Sequence, residues 1–187
     1  MDNPSSVQAR DIAATAIFTA VILGSDFALA GIPNVKLLDV LVFVSSFLFG
    51  FRVGASVAIL SELAWSFLSP WGAAGAIAPF LILGELLYAT AGRVAHTLWK
   101  GRINIGSVYS LAVGSLLAIC AFIWDFETNL GTALIATWPE TSINAIIAYQ
   151  IGGIGFAAAH EISDFVFGTL IAPAVISIFV RFSRRAS

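Results

Sequence analysis

Three groups of ionisable side chains lie in surroundings that are otherwise apolar. Glu62 precedes Trp65 by three residues in AILSELAWSFL. That spacing puts both on one face of a helix. Apolar neighbours on both sides make the carboxylate costly there unless it faces an interior or a wet cavity. Asp125 and Asn129 are four apart in WDFETN and share a face as well. Glu85, His160, Glu161 and Asp164 form the third group. His160 and Asp164 are four apart, within hydrogen-bonding reach across one helical turn. Carboxylates, an amide and indole rings suit a small ring-bearing ligand, with a cation among the candidates. The third group reads as a proton or cation path, or as a polar clamp between helices. The clamp is the favoured reading.

No nucleophile–base motif, Walker sequence or dinucleotide-binding glycine run occurs, so the expectation is a protein that is not an enzyme. With two histidines, one cysteine and no ligand cluster, neither a metal nor a cofactor is expected. Cys120 sits in an apolar run and reads as a packing residue. A net charge of −2 gives no basic patch for nucleic acid.

The elements that must carry these residues are membrane helices. Hydrophobic residues make up 59% of the 187, and charged residues only 11%. A soluble domain carries about 25% charged residues. Mean hydropathy is +0.94. The expected fold is an all-α integral membrane protein, a single transmembrane domain of residues 1–187 with six crossing helices. MDNPSSVQAR lacks the basic start of a cleaved leader, so the first apolar segment is expected to remain.

The pattern predicts helices over 12–29, 37–49, 53–68, 79–99, 105–124 and 151–180, the fifth extending towards Ala136. A short surface helix is predicted over 142–149, and a kink at Pro173. Gly31-Ile32-Pro33-Asn34, Gly50-Phe51-Arg52 and Trp138-Pro139-Glu140 read as breaks. Gly152, Gly153 and Gly155 read as a tight start to the last helix.

Eight of the nine basic residues fall on one side of this topology: Arg10, Arg52, Arg93, Lys100, Arg102, Arg181, Arg184 and Arg185. The positive-inside rule makes that side cytoplasmic. Both termini are then expected inside a plasma membrane, with residues 1–10 as a cytoplasmic segment and 181–187 as a basic tail. The outer half holds four of five tryptophans, Trp65, Trp71, Trp124 and Trp138. It also holds Asp26, Asn34, Lys36, Asp39, Glu62, Asp125, Glu127, Asn129 and Glu140. Trp138, Glu140 and Asp26 read about equally well as an aromatic belt with solvated loop charges. Ala9, Ala13, Ala16 and Ala20 form a small-residue stripe, suited to close packing against a helix of this chain or of a partner.

The segment GIPNVKLLDVLVFVSSFLFGFRVGA, residues 31–55, combines a Gly-Pro loop, a basic residue, an Asp, an apolar helix and a Gly-x-x-x-Gly turn. Together with the size and six short helices, it resembles the substrate-binding S component of energy-coupling factor (ECF) vitamin transporters. The resemblance implies a receptor for a vitamin or cofactor precursor, bound at the outer end. By position, Asn34, Lys36, Asp39, Glu62, Trp65, Trp71, Trp124, Asp125 and Asn129 would line or close that pocket. The alanine stripe is similar to the motif by which the family docks on its transmembrane T component. The implied partners are that T component, two ABC ATPases and membrane lipid. Cobalt and nickel members begin Met-His, whereas this chain begins Met1-Asp2-Asn3, so metal transport is not expected. Two other readings stay open: a structural or accessory subunit of a membrane complex, and an autonomous proton-coupled transporter.

Overall fold

The computed structural model describes residues 4–99, 103 and 106–186, with side chains over 8–99, 103 and 106–182. Six α-helices follow in order: α1 (Pro4–Leu29), α2 (Leu38–Phe49), α3 (Phe51–Leu68), α4 (Ala78–Trp99), α5 (Val108–Thr137) and α6 (Ile143–Ala186). A 3-10 turn, Gly75–Ile77, leads into α4. No strand occurs among the described residues.

Five stretches are long and apolar enough to cross a bilayer: Gln8–Leu29, Phe51–Leu68, Gly75–Trp99, Val108–Thr137 and Ile143–Phe182. The chain is therefore an all-helical, multi-pass membrane protein. The sixth helix, α2, has 12 residues. At 1.5 Å per residue it reaches about 18 Å, short of the roughly 30 Å hydrocarbon core. It is instead the centre of the bundle. Every residue from Leu38 to Phe47 is buried, because α1, α3, α4 and α6 all pack on it. A helix apolar all round belongs in such a place.

The turn from α2 to α3 is as tight as its glycines suggest. Gly50 has φ of 95°, a conformation open to glycine, and its N–H donates to the Ser46 carbonyl at 2.9 Å. A Cβ on Gly54 would collide with Ser46, so the two helices touch there backbone to side chain.

Two predicted elements are corrected. No separate surface helix covers 142–149, because those residues are the first turns of α6. Ser142 supplies the reason: its Oγ accepts the Ala145 N–H at 3.2 Å and starts the helix there. Gly152, Gly153 and Gly155 then lie within α6 rather than at its start, and helix continues through Pro173. α6 has 44 residues and is about 66 Å long. It packs along α5, which runs to Thr137. Residues 4–10 and 181–186 are helical too, continuous with α1 and α6.

Ring contacts identify one end of the bundle. Phe18 of α1, Phe49 of α2 and Phe179 of α6 touch one another, and Phe47 meets His96 of α4. Arg10, Arg52, Arg93 and Arg181 sit in the sequence near these contacts. Lys100, Arg102 and the Met1-Asp2-Asn3 start lie outside the described residues, as do the side chains of Arg184 and Arg185.

Candidate functional site

The opposite end of the bundle is shaped by the loop between α1 and α2. Leu29 accepts the Ile32 N–H at 2.9 Å, and Asn34 takes φ of 57°. Asparagine tolerates that left-handed conformation better than most residues. The reversal carries Lys36 inward, where it is buried. Asn34 tethers the loop, donating from Nδ2 to the Phe156 carbonyl at 3.2 Å and to Asp125 Oδ1 at 3.4 Å. From α1, Asp26 Oδ1 accepts the Leu37 N–H at 2.9 Å.

Under this loop lies a cavity of about 270 Å³. Its wall includes Asp26 of α1, Asn34 and Lys36 of the loop, Glu62 and Trp65 of α3, Trp71 of the next loop, Trp124 of α5 and Phe156 of α6. Trp71 stands 63% exposed at the margin. Glu62 and Trp65 share one face of α3, as their spacing requires, and both reach this cavity.

Below the cavity is an ion network. Lys36 Nζ lies 3.1 Å from Glu85 Oε1 and 3.3 Å from Asp39 Oδ1, and 4.5 Å over the Trp124 ring. Burying the Lys36 ammonium is costly, and the neighbouring carboxylates of Asp39 and Glu85 offset that cost. His160 of α6 is fully buried, with Nδ1 at 3.0 Å from Asp125 Oδ2 and Nε2 at 3.4 Å from Asp39 Oδ2. Its distance to Asp164 Oδ2 is 3.9 Å, too long for the hydrogen bond that four-residue spacing suggests. The Tyr88 hydroxyl of α4 donates to Asp164 instead, at 2.8 Å.

Of the residues expected at the pocket, Asn34, Lys36, Glu62, Trp65, Trp71 and Trp124 meet in the cavity wall. Asp39 and Asp125 are placed one layer deeper, in the network. Asn129 is turned towards α6, where its amide lies against Gly153. Asp125 and Asn129 do share a helix face, but that face is the α5–α6 contact. Glu85, His160 and Asp164 link the loop, α2, α4, α5 and α6, whereas Glu161 lies apart, in a cleft between α5 and α6.

Asp26 is the residue that a belt reading misplaces. It is buried, whereas Trp138 is 79% exposed and Glu140 is exposed. The signal was present in the sequence: Asp26 continues the line Ala14, Phe18, Ile22 at four-residue steps, which is the buried stripe of α1. Ala9, Ala13, Ala16 and Ala20 lie off that stripe and are exposed. Ala16 and Ala20 border an open groove between α1 and α3 that also includes Arg52 and Leu60.

No family model, characterised protein or solved structure matches this chain.

Proposed function

We propose that this chain is the substrate-binding membrane subunit of an ECF-type importer, holding a vitamin or cofactor precursor at the outer end of its bundle. The observation that carries the reading is the cavity beneath the 30–37 loop. Six of the nine residues expected at a binding site converge there from four separate segments. Its volume is near the lower end of small-molecule sites, about 300–1,000 Å³. Its lining combines apolar rings with a few fixed polar groups, as such sites do.

In this reading the basic end is cytoplasmic and both termini lie inside. α2 then serves as a sixth crossing, with the 30–37 loop completing its passage. The exposed alanine stripe and the adjoining groove would receive the T component, and two ABC ATPases would supply the energy. A specific observation favours a second reading. Glu85, Lys36, Asp39 and His160 form a buried polar chain that Tyr88 extends from His160 to Asp164, which suits a proton-coupled transporter.

One pair of measurements separates them. Mass spectrometry of the purified protein should find a small molecule bound in about one-to-one ratio. Liposomes holding this chain alone should not accumulate that molecule under a proton gradient. Gradient-driven uptake by the chain alone would select the second reading. Failure to retain any small molecule from a cell extract would overturn the receptor reading.

A further inference from the structure

Among the described residues, six carboxylates are buried in this bundle: Asp26, Asp39, Glu62, Glu85, Asp125 and Asp164, none more than 5% exposed. Only two side chains able to carry positive charge are buried among them, Lys36 and His160. Lys36 lies within 4.0 Å of Asp39 and Glu85, and His160 within 4.0 Å of Asp39, Asp125 and Asp164. Four of the six thus have a cationic side chain within 4.0 Å. Among the described residues, Asp26 and Glu62 have no ion-pair partner.

These two are also the carboxylates in the wall of the cavity. Each uses one oxygen within the protein. Asp26 Oδ1 accepts the Leu37 N–H, and Glu62 Oε1 accepts the Ser66 hydroxyl at 3.4 Å. The second oxygen of each, Oδ2 and Oε2, is buried without a hydrogen-bond partner. A buried carboxylate in that state stays ionised only where something supplies donors or positive charge, and otherwise takes up a proton. Lys36 reaches the same cavity, but its single charge is already shared between Asp39 and Glu85, so Asp26 and Glu62 have no cation of their own.

We propose that the cavity takes a small organic cation. Its positive or N–H-rich end would pair with Glu62 and Asp26, and its ring would lie against Trp65, since Lys36 already covers Trp124. The proposal rests on reading the cavity as a receptor site. The cavity, about 270 Å³ and open at its margin, has room for a ligand of one or two rings. Indole faces favour a cation over a neutral ring of equal size.

The test uses a cell extract separated by ion exchange at pH 7 into cationic, neutral and anionic small-molecule pools. Each pool is dialysed against the purified full-length protein, and the retained species are identified by mass spectrometry. Glu62→Gln and Asp26→Asn are treated alike, after each is shown to elute as one species with an unfolding temperature near that of the parent. The expected result is retention from the cationic pool, weakened on the order of 30-fold or more by Glu62→Gln. Asp26→Asn should weaken it in the same direction, which keeps the test open if one variant does not fold. Retention from the neutral or anionic pool would overturn the cation proposal and leave the receptor reading standing. So would cation retention indifferent to both variants. No retention from any pool would overturn the receptor reading, and this proposal with it.

Discussion

Lys36 is the residue on which the polar interior turns. Its ammonium bridges Asp39 on the same chain turn and Glu85 on α4, while its position over Trp124 orients a wall of the cavity. Buried pairs of this kind add little over an apolar core of equal shape. Breaking one by deleting a single partner is severe, because the other charge stays buried. Lys36→Met is therefore expected to lower stability by about 3–5 kcal/mol. Adding Glu85→Gln should restore part of the loss by removing one stranded carboxylate. Thermal unfolding of the detergent-solubilised variants measures both effects. A single variant as stable as the parent would show that the lysine contacts contribute nothing.

At the scale of elements, the site depends on how closely α4 and α5 approach. A Cβ on Gly84 would overlap the Trp124 ring. Gly84→Ala should therefore push Trp124 out of place, with an overpacking cost of about 1–3 kcal/mol. Retention of any bound small molecule should fall while the helical signal in circular dichroism stays near that of the parent. Unchanged retention would mean that Trp124 is not part of the binding wall. α6 shows a related effect of packing. Gly152, Gly153 and Gly155 weaken helix locally, and propensity alone reads them as a boundary. Only Gly153 has a close neighbour, the Asn129 amide. The helix runs through all three because α5 lies along it, and tertiary packing overrides a propensity cost of about 1 kcal/mol per glycine.

The whole molecule has two unlike ends and an apolar girth. Ile12, Ile17 and Val21 on α1, Phe122 and Phe126 on α5, and Ile154 and Ile162 on α6 are all exposed, as lipid contact requires. The proposed orientation makes a direct prediction. Glu140→Cys should react with a membrane-impermeant maleimide on intact cells, and Arg181→Cys only after permeabilisation. Cys120, the one native cysteine, is buried and should give little background. The opposite pattern would reverse the orientation and put the cavity inside.

Sequence by itself determined the solvent this chain folds in, its all-helical class and several of the groups that matter. Those conclusions follow from composition and from local periodicity. Glu62 and Trp65 could be paired from a spacing of three, because a helix fixes neighbours at that distance whatever surrounds it. Which carboxylates have a cation beside them could not be read the same way. Lys36 with Glu85, and His160 with Asp39 and Asp125, join residues 35 to 121 positions apart. Local pattern carries no record of such pairings. Asp26 shows the difference most directly: its four-residue step from Ile22 was visible, but its burial depended on the 30–37 loop folding back and offering the Leu37 N–H. Tertiary structure alone left Asp26 and Glu62 without a cation at the wall of the cavity, because only the closed bundle decides which charges are neighbours.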